Sequence, residues 1–515
     1  MKKILCQWAV MLCAWAVSAH AQAEGEWTNP ADQWKTVGPE RGTVLIVGGG
    51  ADDSAARRFL ELVGGPDAPL VVIPTAGEGE KLGEQNYAYV KLKELGAKDI
   101  VILHTLDRKI ADSEAFVAPL KRAKGVWVSG GAQVRLARAY LHTRTHQELF
   151  NLLDRGGVFA GNSAGASIQG SYLYGGQEQK EGFGFVRNTA IGQHYVRRSR
   201  VGSVSKILAE HPELLGIGID EEAAIEVQGN RFTVLGDSKV VICNPKAGET
   251  ENPPHYLYPG ESYDLAARQG PPPRMAAAEK WSGAHAWTDP GANWITQGPP
   301  EGRLLLSGGE ASPETLARFV QLAGGPGAPL VVLSAGSLAE RQSNEKIVAE
   351  LTRQGAKNVT FLHTIDRDEA NATAFAAPLA KARGVWIGGG AKWKLADSYR
   401  QTLVHRELFD LVGRGGVVGG NGAGAAILAA ELCDAGYRWN EGYDLLRKTV
   451  IWEEPLDEKS TASLQELQAR EPDLRTVALK PGASFLFENG QIKTLENPAT
   501  PSPKTIAVPK EEAEK

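Results

Sequence analysis

The stretch GNSAGAS at residues 161–167 follows an apolar run, GVFAG, and places Ser163 between small residues. A short apolar run that ends in a serine flanked by glycine and alanine predicts a strand, a sharp turn and a helix. Small neighbours let the backbone turn tightly and leave the hydroxyl at the helix N-terminus. The chain carries the stretch again as GNGAGAA at residues 420–426, where Gly422 replaces the serine. One half therefore has a candidate nucleophile and the other lacks it.

Three longer segments also recur at an offset of 259 or 260 residues, which indicates an internal duplication. The matched pairs are WKTVGPERGTVLIVGGG from residue 34 and WITQGPPEGRLLLSGGE from 294, LVGGPDAPLVVIPTAG from 62 and LAGGPGAPLVVLSAGS from 322, and GVWVSGGAQVRLA from 125 and GVWIGGGAKWKLA from 384. Since this period is too long for a solenoid repeat, we expect two duplicated domains. The expected domains span residues 24–267 and 292–497, with a Pro-, Ala- and Gly-rich linker at 268–291. Residues 498–515 are rich in proline and charge, and predict a disordered tail.

Within each copy, β-branched apolar runs alternate with amphipathic segments. In the first copy we expect strands at 44–47, 70–74, 100–104, 126–129 and 158–161, with helices at 55–63 and 134–141 between them. This alternation predicts an α/β fold with a parallel sheet covered by helices on both faces, hence three-layer αβα domains. Ligands bind at the carboxyl ends of such strands, where residues 48–50, 130–131 and 163 would gather. The glycines at 48–50 lack the full G-x-G-x-x-G spacing, which disfavours a dinucleotide site.

The composition and the N-terminal residues indicate which partners and which cellular location to expect. The 515 residues are 42% hydrophobic and 23% charged with a net charge of -5, so charge argues for neither nucleic acid nor a membrane surface. Lys2 and Lys3 precede an apolar run from residue 4 to 17 and a small-x-small site at 19–21. This pattern predicts a signal peptide at residues 1–23 and an exported protein, periplasmic or secreted. Its removal leaves Cys243 and Cys433, one in each copy, and a bridge between them has no support in the sequence.

The duplication offers a limited internal comparison. Polar residues kept in both copies are expected to serve the fold, and polar residues lost from one copy are candidates for chemistry. The retained pairs, which we interpret as structural, are His104 and His363, Asp107 and Asp366, and His146 and His405.

Three polar residues of the first copy have no polar equivalent that could repeat their chemistry in the second. Ser163 is opposed by Gly422, His194 by Glu454 and Glu221 by Pro481. A nucleophile, a base and an acid are the components of a catalytic triad. The hydroxyl needs a base to accept its proton, an imidazole has a suitable pKa, and a carboxylate orients the imidazole. The neighbouring Asp220 and Glu222 are alternatives to Glu221 as the acid.

A triad of this kind also requires donors for the developing oxyanion. The N–H of Ala164, directly after the serine, is the natural first donor, and the N–H of Gly131 is a second candidate. Gly131 is matched by Gly390, so the internal comparison does not separate fold from function at this glycine. The sequence has no H-E-x-x-H and no paired-cysteine motif, and we expect neither a metal nor a cofactor.

Taken together, these motifs resemble those of cyanophycinases and the related aspartyl dipeptidase group of serine peptidases. The resemblance covers roughly residues 40–245 and rests on a strand followed by GGG, a GG-x-Q turn, G-x-SAGA, QH followed by spaced arginines, and GIDE. It implies a class I glutamine amidotransferase-like α/β fold and a triad of Ser163, His194 and Glu221. The second copy follows the family in its framework only.

The family also implies a substrate, a poly-aspartate backbone that carries arginine on its β-carboxyls and is cleaved to β-aspartyl-arginine. The substrate-binding positions carried over from the resemblance are Gln133, Gln193, Arg198 and Arg200, and arginines suit a substrate with carboxylates. A solvated basic loop is the alternative interpretation of the arginines. Three positions depart from the family pattern, Gly192 and Ala132 where acids are usual and Ser203 where an arginine is common. These departures leave a related acidic or isoaspartyl peptide open as the substrate.

The expected function is therefore that of an exported serine exopeptidase of cyanophycinase type, acting on cyanophycin or related β-aspartyl peptides through an acyl-enzyme. The second domain is expected to pack on the first as a pseudo-dimer. Two other functions stay open at this point: a non-catalytic peptide-binding or scaffold protein, and a serine esterase or amidase acting on small molecules.

Overall fold

The computed structural model describes residues 27–50, 53–198, 200–244, 255–272, 287–294, 296–432, 441–456 and 458–495. The expected signal peptide, residues 273–286 of the expected linker, Cys433 and the expected tail lie outside the described residues. We call residues 27–272 the first half and residues 287–495 the second half.

The first half contains two sheets, whose strands are built mainly from short β-branched and apolar runs. The strands are β1 (Thr43–Val47), β2 (Leu70–Ile73), β3 (Ile100–Ile102), β4 (Gly125–Val128), β5 (Val158–Asn162), β6 (Gly170–Tyr172), β7 (Val186–Gln193), β8 (Leu215–Ile219), β9 (Ala223–Gln228), β10 (Arg231–Gly236), β11 (Val240–Cys243), β12 (His255–Leu257) and β13 (Ser262–Asp264). The helices are α1 (Asp53–Leu62), α2 (Tyr87–Glu94), α3 (Arg108–Ala111), α4 (Glu114–Arg122), α5 (Gln133–Tyr140), α6 (Arg144–Asp154), α7 (Ala164–Ser167) and α8 (Val201–Glu210).

The larger sheet has the order β13-β10-β9-β1-β5-β4-β2-β3. The five strands from β1 to β3 in this order, which the sequence predicted, are mutually parallel. The sheet continues beyond β1 with β9, β10 and β13, each antiparallel to the strand before it, and the sequence did not predict these three strands. The prediction of an α/β fold is confirmed, and the sheet is mixed rather than parallel throughout.

Side chains alternate along each strand, so this sheet has two apolar faces. Helices cover both of them. Val44 and Ile46 of β1 belong to an apolar core that includes residues of α4, α5 and α6. Leu45 and Val47, the intervening residues, belong to a separate core with residues of α1 and α2. The three layers of the first half follow from this alternation.

The smaller sheet of the first half has the order β12-β11-β8-β7-β6. Its central strand β8 pairs in parallel with β7 and antiparallel to β11. The turns that follow β7 and β8 begin with His194 and Asp220, so this sheet delivers the segments that contain the candidate base and acid.

The second half is described by ten strands and eight helices. The strands are β14 (Arg303–Ser307), β15 (Leu330–Ser334), β16 (Val359–His363), β17 (Gly384–Ile387), β18 (Val417–Asn421), β19 (Ala429–Leu432), β20 (Leu446–Glu453), β21 (Arg475–Leu479), β22 (Ser484–Glu488) and β23 (Gln491–Leu495). The helices are α9 (Pro313–Leu322), α10 (Leu338–Arg353), α11 (Arg367–Ala370), α12 (Thr373–Lys381), α13 (Lys392–Tyr399), α14 (Leu403–Gly413), α15 (Ala423–Ala426) and α16 (Glu458–Arg470).

The larger sheet of the second half has the order β16-β15-β17-β18-β14-β22-β23. Read from the opposite edge of the first half's sheet, β3-β2-β4-β5-β1-β9-β10 is the same order of equivalent strands. The smaller sheet, β19-β20-β21, corresponds to β6-β7-β8. Of the helices in the described part of the chain, none has both the length and the apolar character required to cross a membrane.

Candidate active site

Ser163 occupies a tight turn between strand β5 and the short helix α7. Its backbone angles are φ 54° and ψ −110°, a conformation that costs a non-glycine residue roughly 1–3 kcal/mol. The turn is held by a hydrogen bond from the Ser163 N–H to the carbonyl of Val47 at 3.1 Å. A β-carbon at Gly161 would lie 2.2 Å from the carbonyl oxygen of Gly165, and one at Gly165 would lie 2.1 Å from that of Val128. The two glycines therefore permit a turn that any larger residue would block.

The glycines that follow β1 pack against the candidate base. A β-carbon at Gly49 would lie 2.1 Å from Cε1 of His194, and the φ of Gly49 is +142°. The Gly48 carbonyl accepts a hydrogen bond from the His194 N–H, and the Gly49 carbonyl accepts one from the Glu222 N–H, both at 3.0 Å. The glycine-rich turn, whose spacing disfavoured a dinucleotide site, thus holds the imidazole and the acid-bearing turn close to β1.

Ser163, His194 and Glu221 form a continuous hydrogen-bonded chain. The Oγ of Ser163 lies 2.9 Å from Nε2 of His194, and Nδ1 of His194 lies 2.6 Å from Oε1 of Glu221. His194 is 7% and Glu221 9% exposed, whereas Ser163 is only partly buried. A carboxylate accepts the hydrogen bond from Nδ1–H, which leaves Nε2 as an acceptor for the serine hydroxyl. Solvent can therefore reach the hydroxyl while the two groups behind it are shielded.

The electrostatic environment keeps the imidazole neutral and the carboxyl ionised. Burial lowers the pKa of His194 below its usual 6.5, and the charges of Arg198 and Arg200 act in the same direction against the hydrogen bond to Glu221. Burial opposes ionisation of Glu221, but its hydrogen bond with His194 and the nearby Arg197 outweigh burial and lower its pKa. A neutral imidazole beside a carboxylate is the form that can accept a proton from the serine.

The two alternative acids have other partners. Asp220 is fully buried and accepts hydrogen bonds from the Val196 and Arg197 N–H groups, both at 3.2 Å. Burial, together with the negative charge of Asp397, raises the pKa of Asp220 to about 7. Glu222 pairs with Lys394 of the second half at 2.6 Å. Of the three adjacent acids, Glu221 is the one hydrogen-bonded to His194 in the described part of the chain.

The two predicted oxyanion donors lie in turns next to the serine. Ala164 is the first residue of α7, and Gly131 adopts a φ of +145° in the turn after β4. A β-carbon at Gly131 would lie 2.1 Å from the Ala76 carbonyl oxygen, so this position requires glycine. A β-carbon at the preceding Gly130 would lie 3.0 Å from that of Ser163, which places the glycine turn against the serine. No hydrogen bond between described residues uses the Ala164 or Gly131 N–H.

Two of the four predicted substrate-binding side chains contact Tyr174, which sequence reasoning missed, and a third, Gln193, bonds to one of them. Gln133 donates from Nε2 to the Tyr174 carbonyl at 2.9 Å, and the Arg200 guanidinium lies 5.1 Å from the Tyr174 ring centroid. Arg200 also donates to the carbonyl and the side-chain oxygen of Gln193 at 2.8 and 2.5 Å. The fourth, Arg198, is exposed. Tyr174 lies in no motif, and its position depends on the turn after β6.

Each position that departs from the family pattern has a local role. A β-carbon at Gly192 would lie 3.0 Å from the buried Tyr195 ring, so an acid would displace that ring. The Ser203 hydroxyl lies 2.8 Å from both the Tyr174 hydroxyl and the Arg200 carbonyl. Ala132 is exposed, and its N–H donates to the Ala76 carbonyl at 2.9 Å.

The second half keeps the turn but not the chemistry. Gly422 has φ 54° and ψ −120°, almost the angles of Ser163. Strand pairing places Glu454 after β20 where His194 follows β7, and Pro481 after β21 where Glu221 follows β8. A cleft of about 690 Å³ opens at Gly422 and is lined by Glu340 and Glu453 among others. The second half therefore retains a cavity at the equivalent position, with Gly422 in place of the serine, and the described residues that line the cavity include no histidine.

Residues at the start of α13 contact the acid-bearing turn of the first half. Lys394 bridges Glu222 at 2.6 Å and Glu340 at 2.9 Å. Trp393 packs into an apolar cluster of the first half with Tyr195 among its members, and the Arg197 guanidinium lies 5.8 Å from its ring centroid. A second contact joins Lys239 of the first half to Asp397 and, at 3.2 Å, to the carbonyl of Ile365.

The retained histidines occupy equivalent structural positions. His146 and His405 are buried, and their Nε2 atoms lie 3.0 and 2.8 Å from the carbonyl oxygens of Phe183 and Tyr443. Burial lowers the pKa of each to about 3, so both are neutral. Their stacking partners are Trp27 and Trp287, although the sequence analysis placed residue 287 in the linker.

The other retained pairs have local roles as well. His104 and His363 lie 3.0 and 3.2 Å from the hydroxyls of Thr75 and Ser334. Asp107 and Asp366 accept hydrogen bonds from the first turns of α3 and α11. Within the described ranges, no cluster of three or more His, Cys, Asp or Glu side chains has the arrangement of a metal site.

Comparisons with known proteins identify the family of this chain. Residues 44–235 match the peptidase family S51. The cyanophycinase of Nostoc sp. is 31% identical over 232 residues, which is 41% of this chain and 77% of the relative. The chain belongs to peptidase family S51. The resemblance to cyanophycinases is thereby confirmed, and the protein is a serine-type peptidase.

Two further matches can be given for this member of the S51 family. The cyanophycinase of Geminocystis herdmanii is 28% identical over 224 residues, covering 40% of this chain and 82% of the relative. A crystal structure of a peptidase from an acI-B1 Actinobacterium matches with 26% identity and a TM-score of 0.38, covering 44% of this chain and 98% of that chain.

Proposed function

We propose that this S51 peptidase is an exopeptidase that hydrolyses cyanophycin or a related β-aspartyl peptide, with Ser163 as nucleophile, His194 as general base and acid, and Glu221 as the orienting acid. The observation that carries the proposal is the hydrogen-bonded chain from Ser163 through His194 to Glu221, set at a strained turn. The relatives described above are cyanophycinases, which supports the substrate class.

The proposed reaction has two stages. The Ser163 hydroxyl oxygen attacks the peptide carbonyl while Nε2 of His194 takes the hydroxyl proton. The Ala164 and Gly131 N–H groups stabilise the oxyanion, each contributing about 3 kcal/mol of barrier lowering. His194 then protonates the leaving amine, and an ester forms on Ser163. Water, deprotonated by the same imidazole, attacks the ester carbonyl, and the imidazolium returns the proton to the Ser163 oxygen as the carboxylic acid product leaves.

The pocket chemistry supports an acidic substrate. Arg198 is exposed, and Arg200 is held over Tyr174 by its bonds to Gln193. Guanidinium groups bind carboxylates in a bidentate manner, so a peptide with free α-carboxylates suits this surface. Since Gly192 and Ala132 replace the two usual acids, we propose that capture of the substrate relies on carboxylates more than on a cationic side chain.

We also propose that the protein is exported after cleavage of residues 1–23, and that the domains at 24–267 and 292–497 pack as a pseudo-dimer. The charged start, apolar run and small-x-small site support export. The equal strand orders and the contacts of Lys394 and Lys239 support the pseudo-dimer. N-terminal sequencing of the protein from the culture medium or periplasm, with a start after Ala21 or Ala23 expected, tests export.

Dipeptide release from purified cyanophycin by the mature protein tests the proposed reaction, with Ser163→Ala as the matched control. Release of β-aspartyl-arginine by the wild type, reduced about a million-fold in the variant, is the expected result. Release by neither protein would reject cyanophycin, and an isoaspartyl peptide panel would then test the wider substrate class. Equal release by both would reject Ser163 as the nucleophile.

A further inference from the structure

The turn that carries the proposed catalytic acid is held from the second half of the chain. Glu222 follows Glu221 directly and adopts a φ of +60°, a conformation that few non-glycine residues occupy. On one side its N–H donates to the Gly49 carbonyl at 3.0 Å. On the other its carboxylate accepts from Nζ of Lys394 at 2.6 Å. The turn is thus fixed between the glycines of β1 and a lysine of the second half.

Lys394 is a buried cation with two carboxylate partners. It is 4% exposed and lies 2.6 Å from Glu222 and 2.9 Å from Glu340. Burial alone would lower the pKa of Lys394, but the two carboxylates outweigh it and raise that pKa. A charged group so buried has few positions open to it, because leaving either carboxylate unpaired would be costly. Its position in α13 therefore constrains where the Glu222 carboxylate can lie.

A second contact reaches Glu221 itself through Arg197. The Nη1 of Arg197 lies 3.4 Å from Oε2 of Glu221, the oxygen that His194 does not use. The same guanidinium lies over the ring of Trp393, which is 3% exposed and packed among apolar residues of the first half. An aromatic face beneath a guanidinium attracts it and limits its motion. Trp393 thus backs the arginine that neutralises the free oxygen of the acid.

We propose that Lys394 and Trp393 are positioning residues for the Ser163 reaction, through which the second half sets the orientation of Glu221 toward His194. The inference rests on the proposed function of the Ser163, His194 and Glu221 chain. It gives the second half a role in a reaction that it cannot itself perform.

The corresponding residues of the first half show why the second half can position the site of the first, whereas the first half cannot do the same for the second. Val134 and Arg135 occupy in α5 the places of Trp393 and Lys394 in α13. Arg135 pairs with Glu78 of its own half at 2.6 Å. Gly482 of the second half stands where Glu222 stands in the first, and offers no carboxylate. The aromatic ring, the buried lysine and the carboxylate it reaches therefore occur together at only one of the two equivalent places.

The test uses the full-length mature protein and compares Lys394→Gln, Glu222→Gln and the double variant with the wild type. The readouts are the rate at which a fluorophosphonate probe labels Ser163 and the separate kcat and KM for dipeptide release. We expect Lys394→Gln to lower the labelling rate and kcat by about tenfold or more, with KM within about twofold of the wild type, since misplaced catalytic groups slow chemistry. Because Lys394 acts through Glu222, the double variant should be no slower than Lys394→Gln alone.

Three variants, of which Lys493→Gln and Trp393→Leu are additional, separate positioning from stability. Glu222→Gln leaves the Lys394–Glu340 pair in place, so it tests the positioning role of the Lys394–Glu222 contact even if Lys394→Gln fails to fold. We expect this variant to lower the labelling rate of Ser163 several-fold. Lys493→Gln removes an exposed pair with Glu488 in the second half and should label like the wild type. Trp393→Leu, like Lys394→Gln, should lower kcat.

The outcomes distinguish this inference from the proposed function. A folded Lys394→Gln or Glu222→Gln variant that labels within twofold of the wild type overturns the positioning role and leaves the catalytic proposal intact. A change in KM alone, or fully additive effects in the double variant, also overturns it. A wild-type protein whose Ser163 does not label at all overturns both.

Discussion

The turns at Ser163 and Gly422 have nearly identical backbones and opposite chemical capacity. Both residues have φ 54°. The Ser163 N–H donates to the carbonyl of Val47, the last residue of β1, at 3.1 Å, and the Gly422 N–H donates to that of Ser307, the last residue of β14, at 2.9 Å. The asparagine before each turn accepts from a tryptophan Nε1 at 3.0 Å. The scaffold of a nucleophile turn is therefore separable from the nucleophile, and the second half retains the first without the second.

The space around the two turns is filled differently. In the second half, Glu340 accepts from the Ala391 N–H at 2.8 Å and lies close to Gly390, the equivalent of Gly131. Glu453 reaches the turn itself, because a β-carbon on Gly422 would lie 3.2 Å from its Oε2. Two carboxylates thus border the place where an oxyanion would develop. Glu340 is paired with Lys394, but the Glu453 charge would oppose the negative charge that the first half is arranged to stabilise.

Replacing Ser163 with the residue of the second half is expected to have the largest effect. Ser163→Gly should lower dipeptide release about a million-fold, as loss of a triad nucleophile does. The same change removes a strained non-glycine residue, so the melting temperature should stay equal or rise. Cyanophycin turnover measures the expected loss of activity, and thermal denaturation measures the expected change in melting temperature. A variant that stays active would show that another group attacks the carbonyl.

The acid provides the next largest contrast. Glu221→Gln should lower kcat about ten-thousand-fold, because an amide does not hold the imidazole in the productive tautomer. The matched control is Glu454→Gln in the second half, which should leave kcat unchanged. Loss of less than about tenfold in Glu221→Gln would transfer the role to Asp220 or Glu222.

A smaller effect is expected from the exposed arginine near the base. His194 must be neutral to accept a proton, so the reaction slows as the pH falls through its pKa. Burial lowers that pKa, and Arg198 lowers it further because its charge disfavours the imidazolium. Arg198→Gln should therefore move the acid limb of the rate profile to higher pH.

The measurement for this variant is the pH dependence of Ser163 labelling by a neutral fluorophosphonate, which separates the imidazole from substrate binding. Arg144→Gln, at an exposed pair with Glu114, serves as the control and should leave the limb in place. A limb that moves to lower pH in Arg198→Gln would contradict the assignment of His194 as the titrating base.

Much of this architecture could be predicted because short stretches of sequence determine it. The five parallel strands follow from apolar β-branched runs, and the observed bounds of β1, β2 and β5 lie within one residue of those predicted. The turn at Ser163 follows from its small neighbours. The differences between the two similar parts of the sequence predicted the serine, histidine and acid that the structure brings within hydrogen-bonding distance, and their catalytic roles stay predictions until the variants are measured.

The remaining features depend on contacts between distant segments. Strands β6 to β13 lie after the predicted region, and their pairing joins segments that no short pattern connects. Tyr174 acquires its neighbours only when β6, α5 and the turn after β7 come together. The contact of Trp393 and Lys394 requires the arrangement of the two halves, although one sequence signal existed, the replacement of Val134 by a tryptophan in an otherwise similar segment.

The smallest expected effect on activity comes from returning the missing hydroxyl to the second half. Gly422→Ser, introduced together with Ser163→Gly, should restore no measurable dipeptide release and no fluorophosphonate labelling. A serine at φ 54° would also destabilise the turn by roughly 1–3 kcal/mol. Thermal denaturation of the single Gly422→Ser variant measures that cost, and intact-mass analysis after labelling measures reactivity.

The reason for expecting no activity is that the hydroxyl is only one of several missing parts. Glu454 stands in place of the imidazole and Pro481 in place of the orienting acid. The described residues that line the cleft at Gly422 include no histidine, so the new serine would lack the neutral base that it needs. Glu453 would in addition oppose the oxyanion. If Gly422→Ser nevertheless labelled, a carboxylate would have to be acting as the base. The contrast between the halves would then lie in one residue rather than in the electrostatics of the whole site.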